Sequence, residues 1–274
     1  MTNAPIVVAV DGSESARQAV LWAAHEAARR DIGLTIVHVA PDLAAALAQG
    51  RSWLDDAETM ARRAAPSISA SAEMMSGAVV ETLVAVSTWA NTVVLGTRGM
   101  GGFTGLLVGS VAIGVTTRAR CPVVIVRTPP PATGPIVVGV DGGSAEGATE
   151  WAFAEAALRD VPLIAVHTWT EGALSHGWDT APYVIDFQAL NDAMRGMLSD
   201  RMAQWREKFP SVRLELVTAL DNPARALVEQ SRSAQLVVVG TRGHRPLAGA
   251  LLGSTSHALL HHAACPVAVV HAEP

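Results

Sequence analysis

The sequence predicts an α/β protein of two homologous domains, each a five-stranded parallel sheet flanked by helices. Three observations carry that prediction. The chain is written twice: IVVAVDG at 6–12 recurs as IVVGVDG at 136–142, VVLGTRG at 93–99 as VVVGTRG at 237–243, LLVGS at 106–110 as ALLGS at 250–254, and CPVVIV at 121–126 as CPVAVV at 265–270. Within each copy, short runs of β-branched residues alternate with Ala-rich stretches of helical period, the pattern of right-handed βαβ crossovers. The length of 274 residues is enough for two domains that each bury a core.

The elements follow in order. In the first copy IVVAV, LTIVHV, TVVLG and PVVIVR read as strands buried on both faces. A third strand, SASAEM at about 69–74, has the weakest pattern. Helices are expected at 14–31, about 50–65, 78–90 and 109–119, and in the second copy at 145–160, about 183–208, 223–233 and 253–263. The repeat offset grows from 130 to 144, so the second copy has gained residues in its middle. The expected domains are 1–128 and 135–274, joined by the stiff Pro-rich connector 129–134.

Composition excludes several classes. Half of the residues are hydrophobic, which excludes disorder; 16% charged residues with 23 Gly and 15 Pro exclude a coiled coil. No apolar run reaches the roughly 18 residues of a spanning helix, and Asp11 interrupts the first one too early for a signal peptide. A cytoplasmic protein without membrane contact is expected. The net charge is −5, with 10 basic and 10 acidic side chains in 1–130 and 10 and 15 beyond, so nothing suggests a nucleic-acid track. Two cysteines, Cys121 and Cys265, are too few for a disulfide framework or a Cys-based zinc site. Lys208 is the sole lysine and has no glycine loop near it, which sets aside P-loop and Schiff-base chemistry.

Ligands of open parallel sheets bind beyond the carboxyl ends of the strands. There each copy carries G-x2-G-x9-G-S: Gly96, Gly99, Gly109 and Ser110, then Gly240, Gly243, Gly253 and Ser254. Glycines let backbone N–H groups approach a ligand, and a helix opening at Gly109-Ser110 or Gly253-Ser254 favours an anion. The combination reads as a phosphate cradle; the alternative is a strand-to-helix turn that needs glycine for geometry alone. Arg98 and Arg242 are charge-suited to phosphate, with a solvent-facing role as the alternative.

The first-strand Asp-Gly-Ser, the glycine motif and the closing CPVxxV resemble the universal stress protein family, as a tandem pair of its ATP-binding branch. The resemblance implies strand order 3-2-1-4-5, pairing of the two domains through their last strands, and often further dimerisation. It also implies a site in each copy. Asp11 and Asp141 would face the adenosine end, with Ala9 and Gly139 beneath the nucleotide, and Val39 and Thr168 would contact adenine. Gly96 and Gly240 would lie by the ribose. Gly99, Gly109, Ser110 and Val111 would hold the phosphates, as would Gly243, Gly253, Ser254 and Thr255. The second copy departs from the pattern where Met100-Gly101-Gly102 becomes His244-Arg245-Pro246, since Pro246 offers no N–H. That site is expected to bind more weakly or to take another ligand.

Other candidates are weaker. His257 and His261 share a helical face like a metal pair, but no third ligand is apparent and a polar helix face is the better reading. His38 and His167 read as buried, hydrogen-bonded histidines. Trp22 and Trp151 read as core, whereas Trp53, Trp169 and Trp178 lie where a cleft would have a lid. No catalytic base or metal cluster can be placed, although Asp11 could reach Mg²⁺ through water. The expected function is therefore an ATP-binding stress regulator or sensor, with Mg²⁺, a homo-oligomer acting on a further protein partner. The alternatives are a slow ATP hydrolase or phosphotransferase, and a scaffold that binds no nucleotide.

Overall fold

The computed structural model describes residues 4–40, 43–99, 108–127, 133–141, 146–169, 187–241 and 252–271. The first copy runs β1 (Ile6–Ala9), α1 (Glu14–Arg30), β2 (Leu34–Ala40), α2 (Leu43–Ala64), β3 (Ala70–Ser76), α3 (Val79–Val86), β4 (Thr92–Gly96), α4 (Ser110–Arg118) and β5 (Val123–Val126). The second repeats it as β6 (Ile136–Gly139), α5 (Glu146–Arg159), β7 (Leu163–Trp169), α6 (Phe187–Lys208), β8 (Leu214–Leu220), α7 (Pro223–Gln230), β9 (Leu236–Gly240), α8 (Ser254–His262) and β10 (Val267–Val270). Helix α2 begins about two turns before its expected start, because the run LAAALAQ ahead of Gly50 consists of strong helix formers.

The ten strands of the described residues form one sheet, in the order β3-β2-β1-β4-β5-β10-β9-β6-β7-β8. Each half has the expected order 3-2-1-4-5 with parallel pairs, and the halves meet where β5 pairs antiparallel with β10, Val124 facing Ala268. Period-2 alternation sends Ile6 and Val8 to one face and Val7 to the other, the central strands being buried on both sides. Trp22, Leu54, Phe153 and Leu198 cover the first face from α1, α2, α5 and α6; Leu83, Val115, Leu227 and Leu259 cover the second from α3, α4, α7 and α8.

Beside the seam α1 and α5 exchange buried charges. Glu26 (2% exposed) accepts from Arg30 Nε at 2.8 Å, Arg159 Nη2 at 2.7 Å and Arg29 Nη1 at 3.0 Å, and Glu155 (0%) pairs with Arg30 and Arg159. Glu26 and Glu155 occupy equivalent positions in the two copies, as do Arg30 and Arg159, so the quartet is reciprocal. Burial pulls both of those guanidinium groups below their ordinary pKa, and the Glu26 carboxylate works against it. The cysteines are also interior: burial pushes the thiols of Cys121 and Cys265 up to about 12, which removes thiolate chemistry at neutral pH.

Candidate functional site: a cleft at the carboxyl ends of the first-copy strands

The parallel order of the first copy places β1, β2 and β4 with their carboxyl ends at one edge, where α4 also begins. A cleft of about 570 Å³ opens there. Ala9, Asp11, Val39, Gly96, Arg98, Gly99, Gly109, Ser110 and Val111, the nine first-copy residues expected from the sequence, all line it. They arrive from four segments, and the topology alone brings them together.

Local interactions fix the cleft's rim. Asp11 accepts the Ser13 N–H at 3.0 Å, and Ser13 caps α1 by accepting from Ala16 N–H at 3.2 Å. The hydroxyls of Ser13 and Ser15 donate to the Arg98 carbonyl, tying the loop after β4 to the start of α1. Asp11 Oδ2 lies directly against Gly99. His38, 7% exposed, holds the Val10 carbonyl through Nδ1 at 2.7 Å, and Trp53 meets its ring edge-on at 5.2 Å. Trp53 therefore backs the first-strand loop, pressed against Gly12, whose φ of +83° favours glycine.

Two glycines of the motif have different reasons for being glycine. At Gly96 a Cβ would fall 2.6 Å from the Ser15 carbonyl carbon and 2.8 Å from Ala16 N, so the first turn of α1 demands the missing side chain. Gly96→Ala is expected to cost about 1–3 kcal/mol of stability by overpacking, read as a lowered midpoint in denaturant unfolding. At Gly109 a Cβ would meet nothing closer than the Thr97 carbonyl oxygen at 3.6 Å, an ordinary contact. Packing among the described residues leaves this glycine unexplained. Gly109 is the N-cap of α4 and gives it no side-chain cap; its own N–H donates to the Thr97 carbonyl at 2.7 Å. The helix thus presents its first amides, Ser110, Val111 and Ala112, to the cleft without a side-chain acceptor.

In the second copy Gly139 ends β6 against Leu227 and Val239, Thr168 lies next to last in β7, and Gly240 ends β9. Gly253, Ser254 and Thr255 open α8 as their counterparts open α4, with Gly253 N–H donating to the Thr241 carbonyl at 2.9 Å. Arg242, Gly243, Trp178 and the divergent segments 100–102 and 244–246 lie outside the described residues. Sequence reasoning missed Arg201 of α6, whose guanidinium donates to the Asp141 carbonyl. Its counterpart in the repeat is an alanine, so no shared motif pointed to it.

Other expectations resolve simply. His167 holds the Val140 carbonyl through Nδ1 at 2.8 Å, as His38 does Val10. The rings of His257 and His261 are 4.6 Å apart, and no group of three metal-type side chains exists among the described residues. Trp22 is buried, and Trp151 is half-buried against the same core. Trp169 is buried and stacks on Phe187. No described helix is long and apolar enough to cross a membrane.

The sequence model of the universal stress protein family matches residues 2–127 and again 133–271. The chain belongs to this family. A universal stress protein of Mycobacterium tuberculosis strain H37Rv is 40% identical over 96% of this chain and 95% of its own length. One of Mycobacterium bovis is 38% identical over 96% of both chains. The crystal structure of a universal stress protein from Archaeoglobus fulgidus aligns with a TM-score of 0.72 over 99% of both chains, at 18% identity, and so shares the tandem fold.

Proposed function

We propose that the chain binds adenine nucleotide in both copies, ATP with Mg²⁺ in the first cleft, and acts as a nucleotide-dependent stress regulator or sensor. The observation that carries this reading is Gly109: a glycine with no packing reason among the described residues, at the uncapped start of α4, in a cleft lined by all nine expected first-copy residues. Free amides at a helix start suit phosphate oxygens, and a glycine lets them come close. Val39 and Asp11 would take the adenosine end and Gly99, Gly109, Ser110 and Val111 the phosphates. Asp11 is the one carboxylate lining the cleft among the described residues. A divalent cation there would be held mainly by the phosphates themselves.

A sensor works through differential affinity of the nucleotide for two states. In this reading the protein is a cytoplasmic homo-oligomer whose occupancy alters its contact with a further protein. Gentle purification, heat denaturation and chromatography of the released material count nucleotide per chain. Close to two per chain is the expected result; close to one assigns the occupied site to a single copy. None released, and none taken up with Mg-ATP, overturns the reading in favour of a scaffold. ATP recovered intact after incubation separates a sensor from a slow hydrolase.

A further inference from the structure

Arg127 is the residue that follows β5, and Gly96 of β4 stands opposite Val126 in the parallel register, so Arg127 emerges beside the loop that carries Arg98. Because β10 runs antiparallel to β5, the end of α8 comes to the same place, and Arg127 Nη2 donates to the Leu260 carbonyl at 2.9 Å across the domain boundary. A cation at a helix C-terminus is favourable, which accounts for one of its five N–H donors.

The other donors have no hydrogen-bond acceptor among the described residues, and no carboxylate there lies within ion-pairing distance of Arg127 or Arg98. The fold treats its arginines differently elsewhere: beside the seam Arg30 and Arg159 are each matched with Glu26 and Glu155. The surroundings of Arg127 supply a second cation, Arg98, and histidines rather than carboxylates. His257, His261 and His262 line the last turns of α8, and His261 Nε2 is buried without a hydrogen-bond partner among the described residues. Burial first, then the Arg98 charge, holds the Arg127 guanidinium below its ordinary pKa. His261 is held low by burial, its two neighbouring histidines and Arg127. Like charges gathered without a counter-charge are costly, and an anion relieves them where a metal cation would add to them.

We propose that Arg127, held in place by the second domain, joins Arg98 as a clamp on the terminal phosphates of a nucleotide in the first cleft, so that this cleft selects triphosphates over monophosphates. The proposal rests on the nucleotide reading of that cleft. An arginine matches phosphate oxygens bidentately, and a monophosphate ends short of the clamp and makes no use of it. The second copy has His271 at the equivalent position after β10, so its preference for triphosphate is the weaker one.

ATP and AMP are titrated calorimetrically into the wild-type chain, Gly109→Asp, Arg127→Gln and Arg127→Lys, the component lost in Gly109→Asp being that of the first cleft. Arg127→Gln is expected to weaken ATP in that component about tenfold or more and leave AMP within about twofold. Arg127→Lys, which keeps the charge but not the fork, is expected to weaken ATP about threefold, and it decides the matter alone if the glutamine variant does not fold. An unchanged ATP-to-AMP ratio in the folded variant overturns the clamp. An equal loss for both ligands does so too, by making Arg127 a prop for the cleft. If wild type takes up neither ligand, the nucleotide reading fails and the clamp with it, which is a distinct result from binding without selectivity.

Discussion

Glu155→Gln is expected to lower the unfolding free energy by about 3–5 kcal/mol, the usual effect of removing one partner from a buried ion pair. Glu155 is fully buried and neutralises Arg159, itself 4% exposed, and Arg30, 18% exposed. Without the carboxylate those two cations share Glu26 alone, and Arg29 already uses it. Denaturant unfolding supplies the measurement, with Glu229→Gln as the comparison. Glu229 and Arg232 are both mostly exposed, and that pair is expected to contribute about 0.2–1 kcal/mol. Adding Arg159→Gln to Glu155→Gln is expected to recover part of the loss, because it removes the stranded charge. A Glu155→Gln effect no larger than that of Glu229→Gln would mean that water reaches the quartet.

Gly109→Asp is expected to abolish nucleotide binding in the first cleft, by about a hundredfold or more, while leaving the protein as stable as before. The two halves of that expectation come from one position. A Cβ fits there with ordinary contacts, and Asp is a good N-cap whose negative charge suits the start of α4, so folding loses nothing. The same carboxylate would occupy the amides meant for phosphate and repel it, and like-charge juxtaposition costs several kcal/mol. Equilibrium binding and thermal unfolding of one variant test both halves. Unchanged stoichiometry would mean that the nucleotide lies elsewhere; loss of binding with loss of stability would make Gly109 a structural glycine like Gly96.

The strands were legible because residues buried on both faces must be apolar at every position, and IVVAV or TVVLG have few other readings. SASAEM was only weakly legible, since β3 is an edge strand with about half its side chains in water. The first cleft was legible in outline because G-x2-G-x9-G-S combines a turn constraint with a helix start. What the motif could not distinguish is why each residue is glycine: Gly96 answers to α1, more than eighty positions away, and Gly109 meets only ordinary contacts among the described residues. The charge quartet was not legible at all. Glu26 and Arg30 read as an ordinary helix-surface pair at i and i+4, and only the pairing of β5 with β10 turns that face inward.

The seam also determines how the molecule can and cannot assemble. Joining β5 to β10 inside the chain consumes both last-strand edges, leaving β3 and β8 as the outer margins of the sheet. If copies added margin to margin, β8 of one to β3 of the next, the contact would be heterologous and open-ended, the geometry of a fibre. Both margins carry an exposed glutamate, Glu73 in β3 and Glu215 in β8, and charged side chains on an edge strand disfavour such a join. An assembly that avoids edge-to-edge joins would leave the sheet at ten strands and would have to form through other faces.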